Sequence, residues 1–219
     1  MRCRKDGEKT RLKILRVASR LFAEKGYRNT THEQICGMAK VNAAAINYHF
    51  RKKETLYVEA WRTSFNSLLK KYPADGGVSP DAPAAERLHG IILSIMRRMS
   101  DPENRVFGII NKENFNPTGI LTDAINESIA PIRTAIESIV RELLGGKAPE
   151  RDVQICRMSI MSQCFHPIMS RRRKVMKAGK CNDSLLHGMG IGEIAGHVTR
   201  FSIDGIAGVR TRLEKGKRR

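Results

Sequence analysis

The sequence predicts an all-α fold, and three observations carry that expectation. Apolar residues recur at helical spacing through nearly all of the 219 residues. Nowhere do apolar and polar residues alternate as they would along a half-buried strand. Glycine and proline punctuate the periodic runs at Gly26, from Pro73 to Pro83 and at Gly145-Gly146. Together these predict about eight to ten helices packed on one another.

In chain order, Ile14, Leu15, Ala18, Leu21 and Phe22 make the first stripe, stopped by Gly26. Ile35, Met38 and Ala39 mark a short second helix, and Ala43 to His49 a short third. Leu56, Tyr57, Ala60, Trp61, Ser64, Phe65, Leu68 and Leu69 line one face of a long fourth. After the loop from Pro73 to Pro83, Leu88 to Met99 reads as a helix. Pro102 and Pro117 bracket a short irregular or helical stretch. Ile120 to Leu144 is a long helical pattern with Pro131 as a kink or a break. Val153 to Ile168 is nearly free of charge after Arg157, which predicts a helix buried on most sides. A basic segment from Arg171 to Lys180 and a loop from Asn182 to Gly192 follow. Ile194, Val198, Phe201, Ile206, Val209 and Leu213 form a last amphipathic helix.

Composition narrows the function classes. At 41% hydrophobic the chain can bury a core and is not disordered. No run approaches the roughly 18 apolar residues of a membrane span, and the charged start, Met1 to Asp6, is not a signal peptide. Five cysteines, an odd number without a CxxC pair, predict neither a disulfide framework nor a zinc site, but idle thiols in a reducing cytoplasm. Cys156 and Cys164 share a helix face, and a redox role for them would need lowered pKa values. The net charge of +18 favours a polyanionic partner. It is unevenly placed. Residues 1–60 carry +8, residues 61–150 are neutral, and residues 151–219 carry +10. The neutral middle suits a folded core or a pocket.

The most informative stretch is Thr30 to Glu54. Thr30 can cap a helix with Glu33 three residues on, and Ile35 and Ala39 face inward. A tight turn over Lys40 and Val41 leads to Asn42, a good N-cap. The helix after it opens on Ala43-Ala44-Ala45, small enough for close backbone approach to a groove. This is the pattern of a helix-turn-helix.

Residues 8–60 resemble the DNA-binding domain of TetR/AcrR-type transcriptional repressors. The likeness rests on Ile14-Leu15, Ala18, Leu21-Phe22, Gly26-Tyr27 and Thr30-Thr31. It continues through Ile35, Ala39, Val41, Ile46, Tyr48-His49-Phe50, Lys53-Glu54 and Leu56. Glu113, Pro117 and Thr118 are similar to a subgroup with a ligand-binding C-terminal domain. The resemblance implies a helix-turn-helix domain over residues 1–53 and a helical effector-binding and dimerisation domain over residues 54–219. It implies Asn42 to His49 as the recognition segment, with Thr31, Tyr48 and Lys53 against the DNA backbone. The partners it implies are a double-stranded operator, a small-molecule effector and a second copy of the chain in the cytoplasm. No membrane and no cofactor are implied. The family usually has Gly where Lys40 stands. Lys40 either accepts a strained backbone and adds a phosphate contact, or the turn differs.

The chemistry of base reading adds detail. Ala43 and Ala44 can touch a thymine methyl, and Asn47 suits a bidentate contact with adenine, so half-sites containing A/T are expected. His49 can reach phosphate or base. With Thr30, these residues complete the expected DNA-contacting set. Trp61, Phe65, Met96, Phe107, Glu113, Phe115, Met161 and Phe165 are candidates for an effector pocket. Plain core is the other reading of the apolar ones and a surface site that of Glu113. His166 is expected to be a buried, hydrogen-bonded histidine, and no histidine shows metal spacing. The Gly188-x-Gly190-x-Gly192 spacing follows no strand, which argues against a dinucleotide site. No nucleophile–base pair or phosphate loop appears, so an enzyme is not expected. The last helix, with small residues Gly196, Gly205 and Gly208, and the Val153–Ile168 helix are candidates for a dimer-forming four-helix bundle. A basic architectural protein coating nucleic acid without sequence preference is the competing reading.

Overall fold

The structure is a computed structural model that describes residues 2–176 and 188–216, without the side chains of residues 2–5 and 170–176. Nine α-helices and no strands make up the described residues: α1 (Arg2–Lys25), α2 (His32–Ala39), α3 (Ala43–Phe50), α4 (Lys53–Lys71), α5 (Ala84–Ser100), α6 (Arg105–Phe115), α7 (Thr122–Leu144), α8 (Glu150–Met176) and α9 (Ile191–Gly216). Packing divides the chain into two compact units, Met1–Lys71 with Pro102–Ile129, and Tyr72–Asp101 with Ala130–Arg219.

In the first unit, α1 is the central helix. Its stripe of Ile14, Leu15, Ala18, Leu21 and Phe22 is buried, as the periodicity predicts, against α2, α3, α4 and α6. Both α4 and α6 pack on α1 in this unit. The approach of α6 is close: a Cβ on Gly108 would lie 2.8 Å from the Cβ of Ala23. The first turns of α7 are tied to α4 by Trp61 Nε1 donating to Ser128 Oγ at 3.4 Å and by the Arg62–Glu127 ion pair at 2.7 Å. Pro131 does not break α7, which runs continuously from Thr122 to Leu144. It sits just beyond Ile129, where the first unit ends.

The second unit is built on α5, packed against both α8 and α9. Leu88, Ile92 and Met96 supply its innermost side chains, with Val198 and Ile206 from α9 and Val153, Ile160, Cys164 and Ile168 from α8. His89 Nδ1 lies 3.1 Å from Thr199 Oγ1, and Arg157 pairs with Glu137 at 2.8 Å. The expectation that the α8 helix is buried on most sides fails. Ile155, Met158 and Phe165 are 44%, 58% and 42% exposed, and helical spacing puts them on one side of α8. Phe201, in the stripe of α9, is 60% exposed. The absence of charge in this run therefore reports an apolar surface as well as a core. Met38 is exposed too, since α2 turns only Ile35 and Ala39 inward.

Candidate nucleic-acid interface

The helix-turn-helix is assembled from local bonds. Gly26 ends α1 at φ +81°, and its carbonyl accepts from Thr30 Oγ1 at 2.8 Å. Thr30 is fully buried, and that bond braces the turn. The cap of α2 is Thr31, one residue beyond the expected position. Its Oγ1 accepts from Gln34 N–H at 3.2 Å, and Gln34 Oε1 accepts from Thr31 N–H at 3.4 Å. Sequence alone allows two neighbouring capping boxes, Thr30 with Glu33 and Thr31 with Gln34. The burial of Thr30 selects the second.

The turn after α2 takes the strained option. Lys40 sits in the left-handed region at φ 48°, ψ 53°, and its N–H and that of Val41 reach back to Gly37 and Cys36. That geometry costs a non-glycine residue about 1–2 kcal/mol. Asn42 then caps α3, its Oδ1 accepting from Ala45 N–H at 2.9 Å. Within α3, Ile46 and Phe50 are buried, while Ala43, Ala44, Asn47 and Tyr48 are exposed, Tyr48 to 81%, and His49 is half-buried. The exposed face thus presents a small-residue end, one amide and one phenol. At the far end Arg51 lies at φ 57°, ψ −51°, and Lys52 N–H bonds Phe50 O at 2.5 Å. This is a γ-turn with positive φ, a rare form for an L-residue, and such outliers cost about 1–3 kcal/mol.

Behind α3 an aromatic–carboxylate ladder supports the start of α4. The Lys53 ammonium lies 4.3 Å from the centroid of the Tyr27 ring, and burial there pushes its pKa down. Tyr27 OH donates to Glu54 Oε1 at 2.7 Å. Burial, then that bond, pushes Tyr27 up to about 12, while the bond holds Glu54 below its ordinary value. The Tyr57 ring packs between Tyr27, at 5.0 Å, and Phe22, at 4.6 Å. Tyr57 OH donates to Glu113 Oε1 at 2.7 Å, and Thr118 donates to the same carboxylate from its N–H and its hydroxyl, each at 3.0 Å. Burial first, and the carboxylate second, raise the Tyr57 pKa. Glu113 is therefore a clasp between α4 and the end of α6. Sequence reasoning missed this role because Tyr57 is 56 residues away in the chain.

The other residues proposed for an effector pocket fall in both compact units. Trp61 is fully buried and stacks on Phe65 at 5.8 Å. Met96 is in the core of the second unit, Phe107 and Met161 are half-buried, Phe165 is exposed and Phe115 is 89% exposed. An open groove of about 600 Å³ lies between α8 and α9, lined by Ser162, Gln163, His166, Pro167, Met189, Ile194, His197 and Val198. His166, expected inside, is exposed on this groove. Burial raises the pKa of Cys156 and pushes Cys164 up to about 12, so both stay thiols rather than reactive thiolates. Cys3 has no described side chain, and Cys181 lies outside the described residues, as does the rest of the basic segment beyond Met176. Among the described residues no helix is long and apolar enough to cross a membrane, and no three His, Cys, Asp or Glu gather as metal ligands.

Comparison with known proteins agrees with this architecture. A model described as bacterial regulatory proteins, tetR family, matches residues 14–60. A second, described as the C-terminal domain of the HTH-type transcriptional dual regulator CecR, matches residues 84–206. The uncharacterized HTH-type transcriptional regulator YhgD of Bacillus subtilis (strain 168) is 28% identical over 130 residues, which are 58% of this chain and 63% of the relative. Among solved structures, AibR in complex with isovaleryl coenzyme A and operator DNA superposes with a TM-score of 0.64 at 16% identity, over 88% of this chain and 97% of that one. FadR of Bacillus subtilis in complex with stearoyl-CoA superposes with a TM-score of 0.64 at 19% identity, over 89% and 98%. At such identities the likeness shows the fold.

Proposed function

The chain belongs to the TetR family of transcriptional regulators, and from that premise we propose that it is a homodimeric repressor in the cytoplasm, released from its operator by a small-molecule effector. The observation that carries the reading is the two-sided character of α3. Ile46 and Phe50 anchor it, while Ala43, Ala44, Asn47 and Tyr48 face outward from a head of net charge +8. On this reading Asn47 contacts adenine, the alanines lie against thymine methyls, and Thr31, Tyr48, His49 and Lys53 meet the backbone.

The homodimer is supported by the apolar side chains left open on α8 and α9, which suit pairing into a four-helix bundle. Burying them against a second copy sets the spacing of two heads on one face of DNA. An effector works by favouring a dimer whose heads no longer match adjacent grooves. About 5.5 kcal/mol of differential affinity takes a 1:99 mixture of states to 99:1. The acyl-CoA complexes of AibR and FadR make an acyl-CoA the first effector to try.

Selection of bound duplexes from a random pool, followed by footprinting, tests the core of this reading. Two A/T-containing half-sites are expected, protected together and outcompeting random DNA. Recovery of no preferred sequence would instead support an architectural coating protein. Light scattering tests the dimer: about twice the chain mass is expected for the wild type, and a loss of mass for Met158→Glu with Phe201→Asp. Adding stearoyl-CoA or isovaleryl-CoA to the bound complex and following release tests the effector class, and a reporter behind the selected operator separates repression from activation.

A further inference from the structure

Eight described residues have positive φ, and six of them are glycines: Gly26, Gly76, Gly77, Gly119, Gly145 and Gly146. The two exceptions are Lys40 and Arg51. Both are basic, both are exposed, and they flank α3, one before its N-cap and one directly after its last residue. Neither side chain makes a hydrogen bond, ion pair or ring contact among the described residues. Glycine would relieve both positions. It favours the left-handed conformation of Lys40. Being achiral, it also treats the φ 57°, ψ −51° of Arg51 as the mirror image of a common inverse γ-turn. Elsewhere in the described residues positive φ falls only on glycine. At these two places the fold carries strain; backbone bonds close both turns, but neither side chain gains a contact in the folded protein alone.

We propose that Lys40 and Arg51 form a pair of phosphate contacts, one at each end of α3, and that basic residues rather than glycine stand at these strained positions because their charges act only in the complex with DNA. The eight residues of α3 span about 12 Å at 1.5 Å per residue, close to the ~12 Å width of the major groove. Cations at the two ends of such a helix lie where the sugar–phosphate walls run. Held by rigid turns rather than by long loops, they fix how deeply and at what angle α3 enters. The carboxylate nearest in sequence to Arg51, Glu54, is engaged by the Tyr27 hydroxyl. This inference rests on α3 being the recognition helix and adds a strained, charged residue at each of its ends.

The test pairs stability with binding, using a short random-sequence duplex and the best duplex selected from a random pool. Arg51→Gly is expected to raise the thermal midpoint by about 2 °C or more. Lys40→Gly should leave it unchanged or higher, since the entropy glycine adds to the unfolded chain offsets part of the relief. Both variants are expected to bind either duplex several-fold more weakly. The slope of log K against log salt should shrink by about 0.9 per head for each, and by about 1.8 for the double variant. Lys40→Gln and Arg51→Gln keep the strained backbone and remove the charge, so they should lose the same slope with no gain in stability. Glutamine variants that bind as wild type while the glycine variants weaken would overturn the charge role. So would glycine variants with wild-type slope. If the wild type binds neither duplex, the recognition-helix reading fails first. If the wild type binds the selected duplex and all five variants match it, only the phosphate pair fails.

Discussion

Tyr57→Phe isolates the clasp that joins α4 to the end of α6. The substitution removes one oxygen and keeps the ring, so the packing against Phe22 at 4.6 Å and Tyr27 at 5.0 Å survives. What is lost is a 2.7 Å hydrogen bond to a carboxylate from a fully buried side chain. A hydrogen bond to a charged group contributes about 1.5–3 kcal/mol net. Glu113 is only half-buried and keeps both Thr118 donors, so the lower end of that range applies, about 1.5–2 kcal/mol. For a chain of this size each kcal/mol moves the midpoint by about 2–4 °C, so a fall of about 3–8 °C is expected by far-UV circular dichroism. Glu113→Ala should cost more. It strands the buried Tyr57 hydroxyl as well as the Thr118 donors, and an orphaned buried donor costs more than a bond removed from both sides. In the double variant the cost should be clearly less than the sum of the two singles. A midpoint for Tyr57→Phe within about 1 °C of wild type, or a larger loss for Tyr57→Phe than for Glu113→Ala, would refute the clasp.

Three more outcomes follow from the same structure. Gly108→Ala places a methyl group 2.8 Å from the Ala23 side chain, so α6 must move off α1. A loss of about 1–3 kcal/mol is expected in urea unfolding, and an unchanged midpoint would show that the helices yield freely. Asn47→Ala should cost about 1–3 kcal/mol of DNA affinity confined to a few operator positions, whereas Lys53→Ala should weaken all sequences and flatten the salt slope. Loss spread evenly over the operator for Asn47→Ala would remove it from base reading. Stability should decline in alkali. The folded pKa values of Tyr27 and Tyr57 lie above the ordinary value near 10, that of Tyr27 at about 12. The unfolded chain therefore releases these protons first, and stability held below pH ~10 is lost as pH rises toward 12. Tyr57→Phe should make that decline shallower, and parallel curves for the two proteins would count against the tyrosines as its source.

What was legible in the sequence is what helical period alone decides. The period puts Ile14, Leu15, Leu21 and Phe22 on one side of α1, and all four are buried. It also separates Ile46 and Phe50 from Asn47 and Tyr48, so the inner and outer faces of α3 both follow from residue spacing. Capping chemistry was legible to within one residue. Asn42 caps α3 as expected, but two adjacent threonines followed by Glu33-Gln34 offer two registers for α2. Only the bond of Thr30 to the Gly26 carbonyl decides between them. Lys40 shows the same limit in another form: a lysine can take either backbone region, and the closure of Val41 N–H onto the Cys36 carbonyl selects the strained one. Long-range partners leave no periodic trace. The Glu113 carboxylate carries no sequence mark of Tyr57, and nothing in the α6 stretch marks Gly108 as the point where α6 meets Ala23.

The α8 helix marks a different boundary. A run nearly free of charge predicted burial on most sides, yet Ile155, Met158 and Phe165 stand open on α8, as Phe201 does on α9. A single exposed apolar residue is ordinary, but here four stand exposed on two helices that pack on each other, and two of them, Ile155 and Phe201, line one groove. Sequence composition responds to the environment a residue meets in the working assembly, and cannot separate burial within one chain from burial against another. If the proposed homodimer forms through this face, the sequence expectation and the open surface are both right, one for the dimer and one for the single chain. The two substitutions offered for the dimer then have a sharper signature. Met158→Glu and Phe201→Asp lie on an exposed face, so they should lower the mass without lowering the monomer's own resistance to urea. A variant that lost folded structure along with mass would place these side chains in the core of one chain after all.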